Sequence, residues 1–499
     1  MTVQNHLYRI TWTPVLLVIM SAVSAADTDA RSNTLPTAGY IDEAVFREGL
    51  RQRGLTDLLE QYFQDNPPLN KIDAQMRQRE ELLEKASQQI IPNHQRESII
   101  DKASDILSKL IEKHPNHPAR LRWRYELARD ILERKDPTIF DILLLYELPG
   151  RDRVKAGKLS RRAIEVLNHL RQQTDAIWQA AEALDETALE QVTVSGALQS
   201  VEAIDMQSAF LLSWARLYHA LSLEPAEAQP SAVWSDLLAQ VTEKYGWIKL
   251  PAGRETQQCS ALIIAATAAR RLGQFNEAND YARQIITSLA QVDNPETRKQ
   301  LSRASLTAVL EQIRILRDRN RQDDAQKAIK QAHHWAKRTR PDDIQTDLAL
   351  ALTEHSLLTG KLPTATKPTE TNHIETFILH HHSLAPLKQL ANKSPSHRDA
   401  LYSILAGALE TEPLNISRTT FALQLIVGAA VMDARINRSA PHSTIDKRLN
   451  EVIDALENTS YEVSPDTLFS IAELSYLSAQ AYYLAGRHLT AVNKLLSYV

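Results

Sequence analysis

The 499-residue chain has few of the residues that build cross-links, strands and wide loops. It contains one cysteine, 13 glycines and 6% aromatic residues. A single cysteine excludes an intramolecular disulfide framework. Runs of β-branched residues are scarce, whereas many segments are rich in Ala, Leu, Glu, Gln, Lys and Arg, which lose little side-chain freedom in a helix. The composition therefore predicts an all-α protein, with Cys259 buried in an Ala-rich helix.

A strong net charge is also missing. The formal net charge is −4, and both signs are interspersed along the chain. This balance gives no electrostatic reason to expect nucleic acid as the main partner. The hydrophobic content of 43% is ample for a core, so the chain is not expected to be disordered.

Long apolar runs are absent after the first 26 residues. Residues 15–20 form a short apolar run that follows His6 and Arg9, and small residues extend from there to Ala26. This order is typical of a secretory signal peptide over residues 1–26. The alternative, a short membrane anchor, is disfavoured because the run is shorter than the roughly 20 residues that span a bilayer. We expect an exported protein of the periplasm or cell envelope, without an integral membrane segment after cleavage.

The remaining chain divides at stretches that are rich in Pro, Thr or small polar residues. Residues 27–38 are predicted to be a flexible leader, and helical repeats follow over residues 39–360. Residues 361–372 contain two Pro and four Thr and have no helical period, so they are the predicted linker to C-terminal helices over residues 373–499. The final helix is apolar up to its last residue, which raises the expectation of self-association.

Residues 98–132 have the best-formed helical pattern. Apolar residues recur with helical spacing through Leu110, while charged residues occupy the opposite face. Pro115 and Pro118 then disfavour the α conformation in the residues before them, and a second apolar period begins at Leu121. The pattern predicts a helix, a Pro-marked turn and a second helix.

Several spacings in the chain resemble those of tetratricopeptide repeats, which are hairpins of two helices. Ala103, Leu107, Leu110 and Pro115 resemble the second helix of such a repeat, and Leu127-Ala128 resembles the first helix. Trp214 and Leu217 have the W-x2-L spacing. Tyr218 departs from the pattern, because a small residue is usual at its position.

The most specific match is Gly273, Phe275 and Ala278, which is similar to the repeat's G-x-[YF]-x-x-A turn into its second helix. Weaker copies recur at residues 320–325, 360–365 and 486–491. The positions assigned to the repeat signature are Ala103, Leu107, Leu110, Pro115, Leu127, Ala128, Trp214, Leu217, Gly273, Phe275, Ala278, Gly360, Ala365, Gly486 and Ala491.

Motifs that would indicate an enzyme are missing. The chain has no H-E-x-x-H, G-x-S-x-G or Walker loop, and we assign no catalytic, cofactor-binding or metal-ligating residue. The histidines at 373 and 380–382, at 333–334 and at 114 and 117 are interpreted as structural, because consecutive helical imidazoles point about 100° apart. The basic run over residues 151–162 is interpreted as a solvated helix start.

The resemblance implies a right-handed α-α superhelix (solenoid) of tetratricopeptide-like hairpins that binds a protein or peptide partner in a groove, without catalysis or cofactor. The alternative is an exported carbohydrate-active enzyme, a polysaccharide lyase or hydrolase with an α/α toroid. Such an enzyme needs aromatic platforms for sugar rings and Gly-rich loops, and aromatic residues and long loops are scarce in this chain.

Overall fold

A computed structural model of the chain contains only helices as regular elements among the residues it describes. These are residues 50, 55–65, 70–87, 91, 93–148, 150, 152–194, 197–223, 231–250, 254–290, 295–339, 342–361, 384–398, 400–401, 404, 422–424, 427, 431, 451 and 465–496. The expected all-α class is confirmed for this part of the chain.

The chain forms two compact units, and each is described by itself. Unit 1 comprises Met1–Asp141 and Lys155–Leu221, and unit 2 comprises Ile142–Val154 and Ser222–Val499. The helices that begin in unit 1 are α1 (Thr56–Asp65), α2 (Lys71–Ser87), α3 (Asn93–Lys113), α4 (Arg120–Arg129), α5 (Pro137–Leu145), α7 (Glu186–Val194) and α8 (Ala197–Ser222). Helix α6 (Arg153–Glu182) begins in unit 2, and all of it from Lys155 onward belongs to unit 1.

The core of unit 1 includes the stripe that the sequence pattern predicted on α3. Ala103, Leu107 and Leu110 are fully buried, and α3 packs against both α2 and α4. Helix α3 ends at Lys113, before Pro115, and α4 begins at Arg120. The helix, turn and helix predicted over residues 98–132 are therefore confirmed.

Unit 1 also contains a buried ion pair between α2 and the end of α4. Helix α4 continues into one π-helical turn, Asp130–Arg134, and Asp130 is completely buried there. Arg79 Nη2 donates to both carboxylate oxygens of Asp130, at 2.9 and 2.8 Å. The burial of Asp130 is compensated by this hydrogen-bonded counter-ion.

Unit 2 contains the remaining helices. They are α9 (Ser231–Ala239), α10 (Glu255–Arg271), α11 (Phe275–Ala290), α12 (Pro295–Asp318), α13 (Gln322–Thr339), α14 (Asp342–Thr359), α15 (Leu384–Lys393), α16 (Pro465–Leu484) and α17 (His488–Leu496). From α10 to α14 each helix packs against the next, and α12 also packs against α10 and α14. Cys259 is fully buried in α10, as expected.

Four helix ends in unit 2 share one turn geometry. Gly273, Asn320, Gly360 and Gly486 have φ of 78°, 57°, 65° and 79°, in the left-handed region that favours Gly and tolerates Asn. At the first turn, Gln274 N–H donates to Ala269 O and Gly273 N–H donates to Arg270 O. The same two hydrogen bonds recur at the other three turns, which is the Schellman arrangement that satisfies the last helix carbonyls.

The glycine at 360 has less free space around it than the glycine at 273. A Cβ atom on Gly360 would lie 2.7 Å from His397 Nδ1, whereas nothing lies within 4 Å of a Cβ on Gly273. We expect Gly273→Ala to cost about 1–2 kcal/mol through its positive φ alone, and Gly360→Ala to cost about 1–3 kcal/mol more through overpacking. Urea unfolding of both variants measures the difference. Equal losses would contradict it, and His397→Ala should remove the part of the excess that comes from the imidazole, while Ser396 Oγ, 2.9 Å from the added Cβ, remains.

Among the described helices, none combines the length and apolar character that a bilayer crossing requires. The predicted signal peptide, leader and linker lie outside the described residues, apart from Lys361. These segment boundaries stay predictions.

Candidate functional site

The repeat-signature residues of unit 1 are mostly buried. Leu127 and Ala128 lie in the core on α4, and Leu217 lies in the core on α8. Tyr218, which departs from the repeat pattern, stacks on Phe140 with ring centroids 4.5 Å apart. Trp214 lies 5.2 Å from the Tyr218 ring, so the large ring of Tyr218 packs between two other rings at the position where a small residue is usual.

The signature residues of unit 2 lie at the shared turns. Ala278 and Ala491 are buried five positions after Gly273 and Gly486, and Phe275 begins α11 and packs against the core. Ala365 lies outside the described residues. These residues position helices.

Two of the histidines and basic residues singled out in the sequence, His117 and Lys155, have structural contacts. His117 stacks on Trp123 at 4.5 Å, and its Nδ1 accepts from Ala119 N–H. Lys155 pairs with Glu97 and Asp136, both at 2.8 Å, so this part of the basic run is less solvated than expected. His373 and His380 to His382 lie outside the described residues. No group of described His, Cys, Asp or Glu side chains could hold a metal ion.

The candidate site lies in unit 2, where three helices hold the end of α5 and the residues that follow it. Residues 144–148, from the end of α5 onward, are contacted by side chains of α10, α12 and α14. Arg314 on α12 donates to the carbonyl oxygens of Leu144 and Leu145, at 3.0 and 2.7 Å. Both carboxylate oxygens of Glu354 on α14 accept backbone N–H groups, from Glu147 and Leu148, at 2.8 Å each. We call this side of the three helices the segment-binding face.

The side chain of Glu147 has four guanidinium groups within 4 Å, and the most distant of them is that of Arg271, at 3.9 Å. Arg317 Nη1 lies 2.5 Å from Glu147 Oε2, and Arg270 Nη1 lies 3.1 Å from Oε1. Arg314 Nε is 3.8 Å from Oε2. Charge-assisted hydrogen bonds of this kind are about twice as strong as neutral ones.

Two further carboxylates, those of Glu311 and Asp318, pair with the same arginines. Glu311 Oε2 accepts from Arg270 Nε at 2.6 Å, and Glu311 Oε1 accepts from Arg314 Nη1 at 2.7 Å. Asp318 pairs with Arg270 at 3.0 Å and with Arg317 at 2.8 Å. We call this network the charge cluster. Its members are Glu147, Arg270, Glu311, Arg314, Arg317, Asp318 and Glu354.

The cluster changes the proton affinities of its carboxyl groups in opposite directions. Burial alone would raise the pKa of Glu147, but Arg270, Arg314 and Arg317 outweigh it and hold the pKa well below its usual range. Burial would likewise raise the pKa of Glu311, but Arg270 and Arg314 outweigh burial and lower the pKa. For Glu354 burial wins and raises the pKa to about 8, although two backbone N–H groups oppose the shift.

A small pocket adjoins Glu147 at the segment-binding face. It is lined by Glu147, Leu310, Ile313, Arg314, Arg317, Ala351, Leu352, Glu354, His355 and Leu358. His355 is buried, and its Nδ1 has no hydrogen-bond partner among the described residues. Burial, together with the nearby Arg317, lowers the pKa of His355 to about 4, so the ring is neutral at physiological pH.

The raised pKa of Glu354 makes stability fall as pH rises. Folding raises this pKa from 4.5 to about 8, so its contribution is complete below pH 4.5 and is lost as pH rises through 8. His355, whose pKa falls from 6.5 to about 4, acts oppositely and only below pH 6.5. Glu147, with its lowered pKa, and Arg317, with its raised pKa, stay charged throughout. Between pH 6.5 and 8 we expect wild type to lose about 2 kcal/mol of unfolding free energy.

Urea unfolding at several pH values tests this dependence. The matched variant is Glu354→Gln, which is expected to lower stability overall and to remove the decrease between pH 6.5 and 8. If the variant keeps the decrease, another group is responsible.

The charge cluster was not predicted from the sequence. One signal was available, because charged residues interrupt apolar helical stretches. Arg270 follows five residues of Ala and Thr in α10, and Glu354 and His355 lie within a Leu-rich and Ala-rich stretch of α14. Glu147 gave no signal, since it lies in a short connection whose neighbours come from distant parts of the chain.

Exposed apolar side chains gather on the hairpin of α16 and α17. They are Tyr476, Tyr483, Leu489, Val492, Leu495 and Leu496. Self-association through the C-terminal helix stays a prediction.

No protein-family model matches the chain, and no curated protein is similar to it. Its function is therefore inferred from its own residues and contacts.

Proposed function

We propose that this chain is a non-catalytic scaffold that binds a protein or peptide partner in the cell envelope. In this proposal the helices stack as tetratricopeptide-like hairpins in a right-handed superhelix, and one face of the stack carries the partner. The repeated Schellman turns support the hairpin assignment, since Gly273, Asn320 and Gly486 are each followed five residues later by a buried Ala.

The observation that carries the proposal is the segment-binding face. Side chains of α10, α12 and α14 hold residues 144–148 through two backbone carbonyls, two backbone N–H groups and one carboxylate. Backbone hydrogen bonds give affinity for an extended chain, and side-chain contacts give specificity. A face that already holds a piece of polypeptide in this way has the chemistry needed to bind another.

The same position relative to the turn recurs on other helices of unit 2. Arg270 and Arg317 each lie three residues before the left-handed residue of their turn. Tyr483 lies three residues before Gly486, in the equivalent position of α16, and is 61% exposed. Tyr476 lies two turns earlier on the same side of α16 and is 59% exposed. Exposed tyrosines are favourable contact residues at protein interfaces.

Site-specific photo-crosslinking in the native cell envelope tests the proposal. A photoreactive phenylalanine analogue at Tyr483 is expected to give a discrete adduct, because this position corresponds to the segment-binding face. The matched control places the analogue at Lys327, whose side chain is 75% exposed on helix α13, away from the apolar hairpin. Adducts that are absent, or identical at both positions, would contradict a binding face at Tyr483.

Turnover of uronate-containing polysaccharides by the purified protein would overturn the scaffold proposal altogether. The described residues bring together the charge cluster, in which every carboxylate is hydrogen-bonded to arginine or to backbone N–H. In the proposal these hydrogen bonds serve to hold the chain segment of residues 144–148.

A further inference from the structure

We propose that the exposed apolar face of the α16–α17 hairpin binds the same face of a second copy of this chain, so that two chains form a two-fold symmetric dimer. This inference rests on the proposed scaffold function and names the protein partner at Tyr483 as another copy of the chain.

The α16–α17 hairpin has the same turn as the α10–α11 hairpin. Gly486 and Gly273 have φ of 79° and 78°, and the same two backbone hydrogen bonds close both turns. Counted from these glycines, Tyr483, Leu489 and Val492 occupy the positions of Arg270, Asn276 and Asn279 in the earlier hairpin.

In the earlier hairpin these three positions contact the next helix, α12. Arg270 Nε donates to Glu311 Oε2 at 2.6 Å, and Gln312 Nε2 donates to Asn279 Oδ1 at 3.3 Å. Asn276 Oδ1 accepts from Arg319, the residue after α12, at 3.1 Å. The equivalent positions of α16 and α17 therefore mark the side of the hairpin on which another helix packs.

On α16 and α17 this side is apolar and exposed. Leu489 is 76% exposed and Val492 is 50% exposed. Tyr483 is also exposed, and its ring lies 4.9 Å from that of His488, so it borders the start of α17. Apolar side chains in these positions cannot make the polar contacts that α10 and α11 make with α12, but they gain free energy when an apolar surface covers them.

The area of the exposed face fits a stable dimer. Its six apolar or aromatic side chains, including Tyr476, Leu495 and Leu496, expose roughly 600–700 Å² in total. The largest patch on a typical monomeric protein is about 300–600 Å². Each partner of a standard protein interface buries about 800 Å², so one such face on each of two chains is close to sufficient.

Helix α17 can also act as the covering element. Leu489, Val492 and Leu496 lie on one side of it, because they are three and seven residues apart, and the buried Ala491 lies on the other side. The hairpin thus presents both an uncovered helix-packing face and an amphipathic helix that suits such a face. A two-fold contact requires this self-complementarity, since the same patch is used by both chains.

The charges beside the face separate a second copy from other partners. Within residues 474–496 the charged side chains are Arg487 and Lys494, and none is acidic. In a dimer these like charges approach one another, and salt screens their repulsion. The dimer should therefore tighten as salt is raised, whereas a contact with an acidic protein or an anionic membrane surface would weaken.

Sedimentation equilibrium of the purified full-length chain over a range of concentrations and salt tests the proposal. Wild type is expected to reach twice the mass of one chain, and to do so at lower concentration in high salt. Leu489→Gln with Val492→Gln should raise the dissociation constant at least about 10-fold, because the apolar area that the dimer buries is reduced. Both side chains are exposed and Gln is a good helix former, so the melting temperature of the monomer should not change.

Leu58→Gln with Val194→Gln is the matched control, since it makes the same two changes at exposed positions of α1 and α7. It should leave the dissociation constant unchanged. A wild type that is monomeric at every concentration, an equal effect of the two double variants, or a dimer that salt weakens would each overturn the proposal. Cosedimentation of a monomeric wild type with phosphatidylglycerol vesicles would overturn it in favour of a membrane surface.

Crosslinking at Tyr483 separates this inference from the scaffold proposal. An adduct with the mass of two chains supports a second copy as the partner. An adduct with a different protein, together with a monomeric wild type in solution, would overturn the dimer and leave the scaffold proposal in place.

Discussion

Replacing Arg314 by Met is expected to lower the free energy of unfolding by about 3–5 kcal/mol, the range for removing one partner of a buried ion pair. Arg314 is buried, and its guanidinium serves two purposes at once. It balances Glu311 at 2.7 Å and satisfies the carbonyls of Leu144 and Leu145 at the end of α5. Methionine matches the length of the side chain but supplies no donor, so Glu311 keeps only Arg270 and two carbonyls lose their partner.

Arg321→Met is the matched control for this experiment. Arg321 pairs with Asp324 at 2.7 Å, but its side chain is about half exposed, and such surface pairs contribute about 0–1 kcal/mol. Both variants can be compared by urea unfolding at pH 6.5. A loss below about 1 kcal/mol for Arg314→Met would mean that the charge cluster is replaceable by apolar packing, as some buried ion pairs are. The segment-binding face would then not depend on it.

The sequence pattern was sufficient for the helices because their determinants are local. The period of Ala103, Leu107 and Leu110 depends on residues within two turns of one helix, and all three are buried. The left-handed turns were also visible, since Gly273 and Gly486 end apolar stretches and precede a new one. Asn320 fits the same position because its short polar side chain tolerates a positive φ.

The candidate site could not be predicted in the same way, because its contacts join distant parts of the chain. Glu147 and Arg270 are 123 residues apart, and Glu147 and Glu354 are 207 residues apart. Helical periodicity places a residue on a face but does not identify which other helix meets that face. In a helical pattern, a charged residue such as Arg314 is normally assigned to the solvent-exposed face. In the structure Arg314 is buried together with its ion-pair partner.

The cluster also supplies hydrogen-bond partners to the backbone of residues 144–148. The last carbonyls of a helix lack partners within the helix, and Arg314 supplies donors to two of them at the end of α5. The next N–H groups are satisfied by Glu354. Side chains thus replace the hydrogen bonds that a continued helix would have made.

Leu107→Ala is expected to cost about 2–5 kcal/mol in unit 1, the usual range for truncating a buried leucine. Leu107 has no exposed surface, and it lies between Ala103 and Leu110 on the side of α3 that packs in the core. Ala103 is too small to fill the space that the lost atoms leave, and Leu110 is already fully packed. The cost should therefore include a cavity contribution in addition to the lost transfer free energy.

Leu58→Ala on α1 is the control, since Leu58 is 52% exposed and its truncation removes surface that water already contacts. Its cost should remain below about 1 kcal/mol, and urea unfolding measures both variants. A small loss for Leu107→Ala, under roughly 0.5 kcal/mol, would mean that the apolar stripe of α3 does not stabilise the hairpin. Because Leu107 and Arg314 lie in different units, hydrogen exchange should locate the effect of the first in α3 and that of the second in α12.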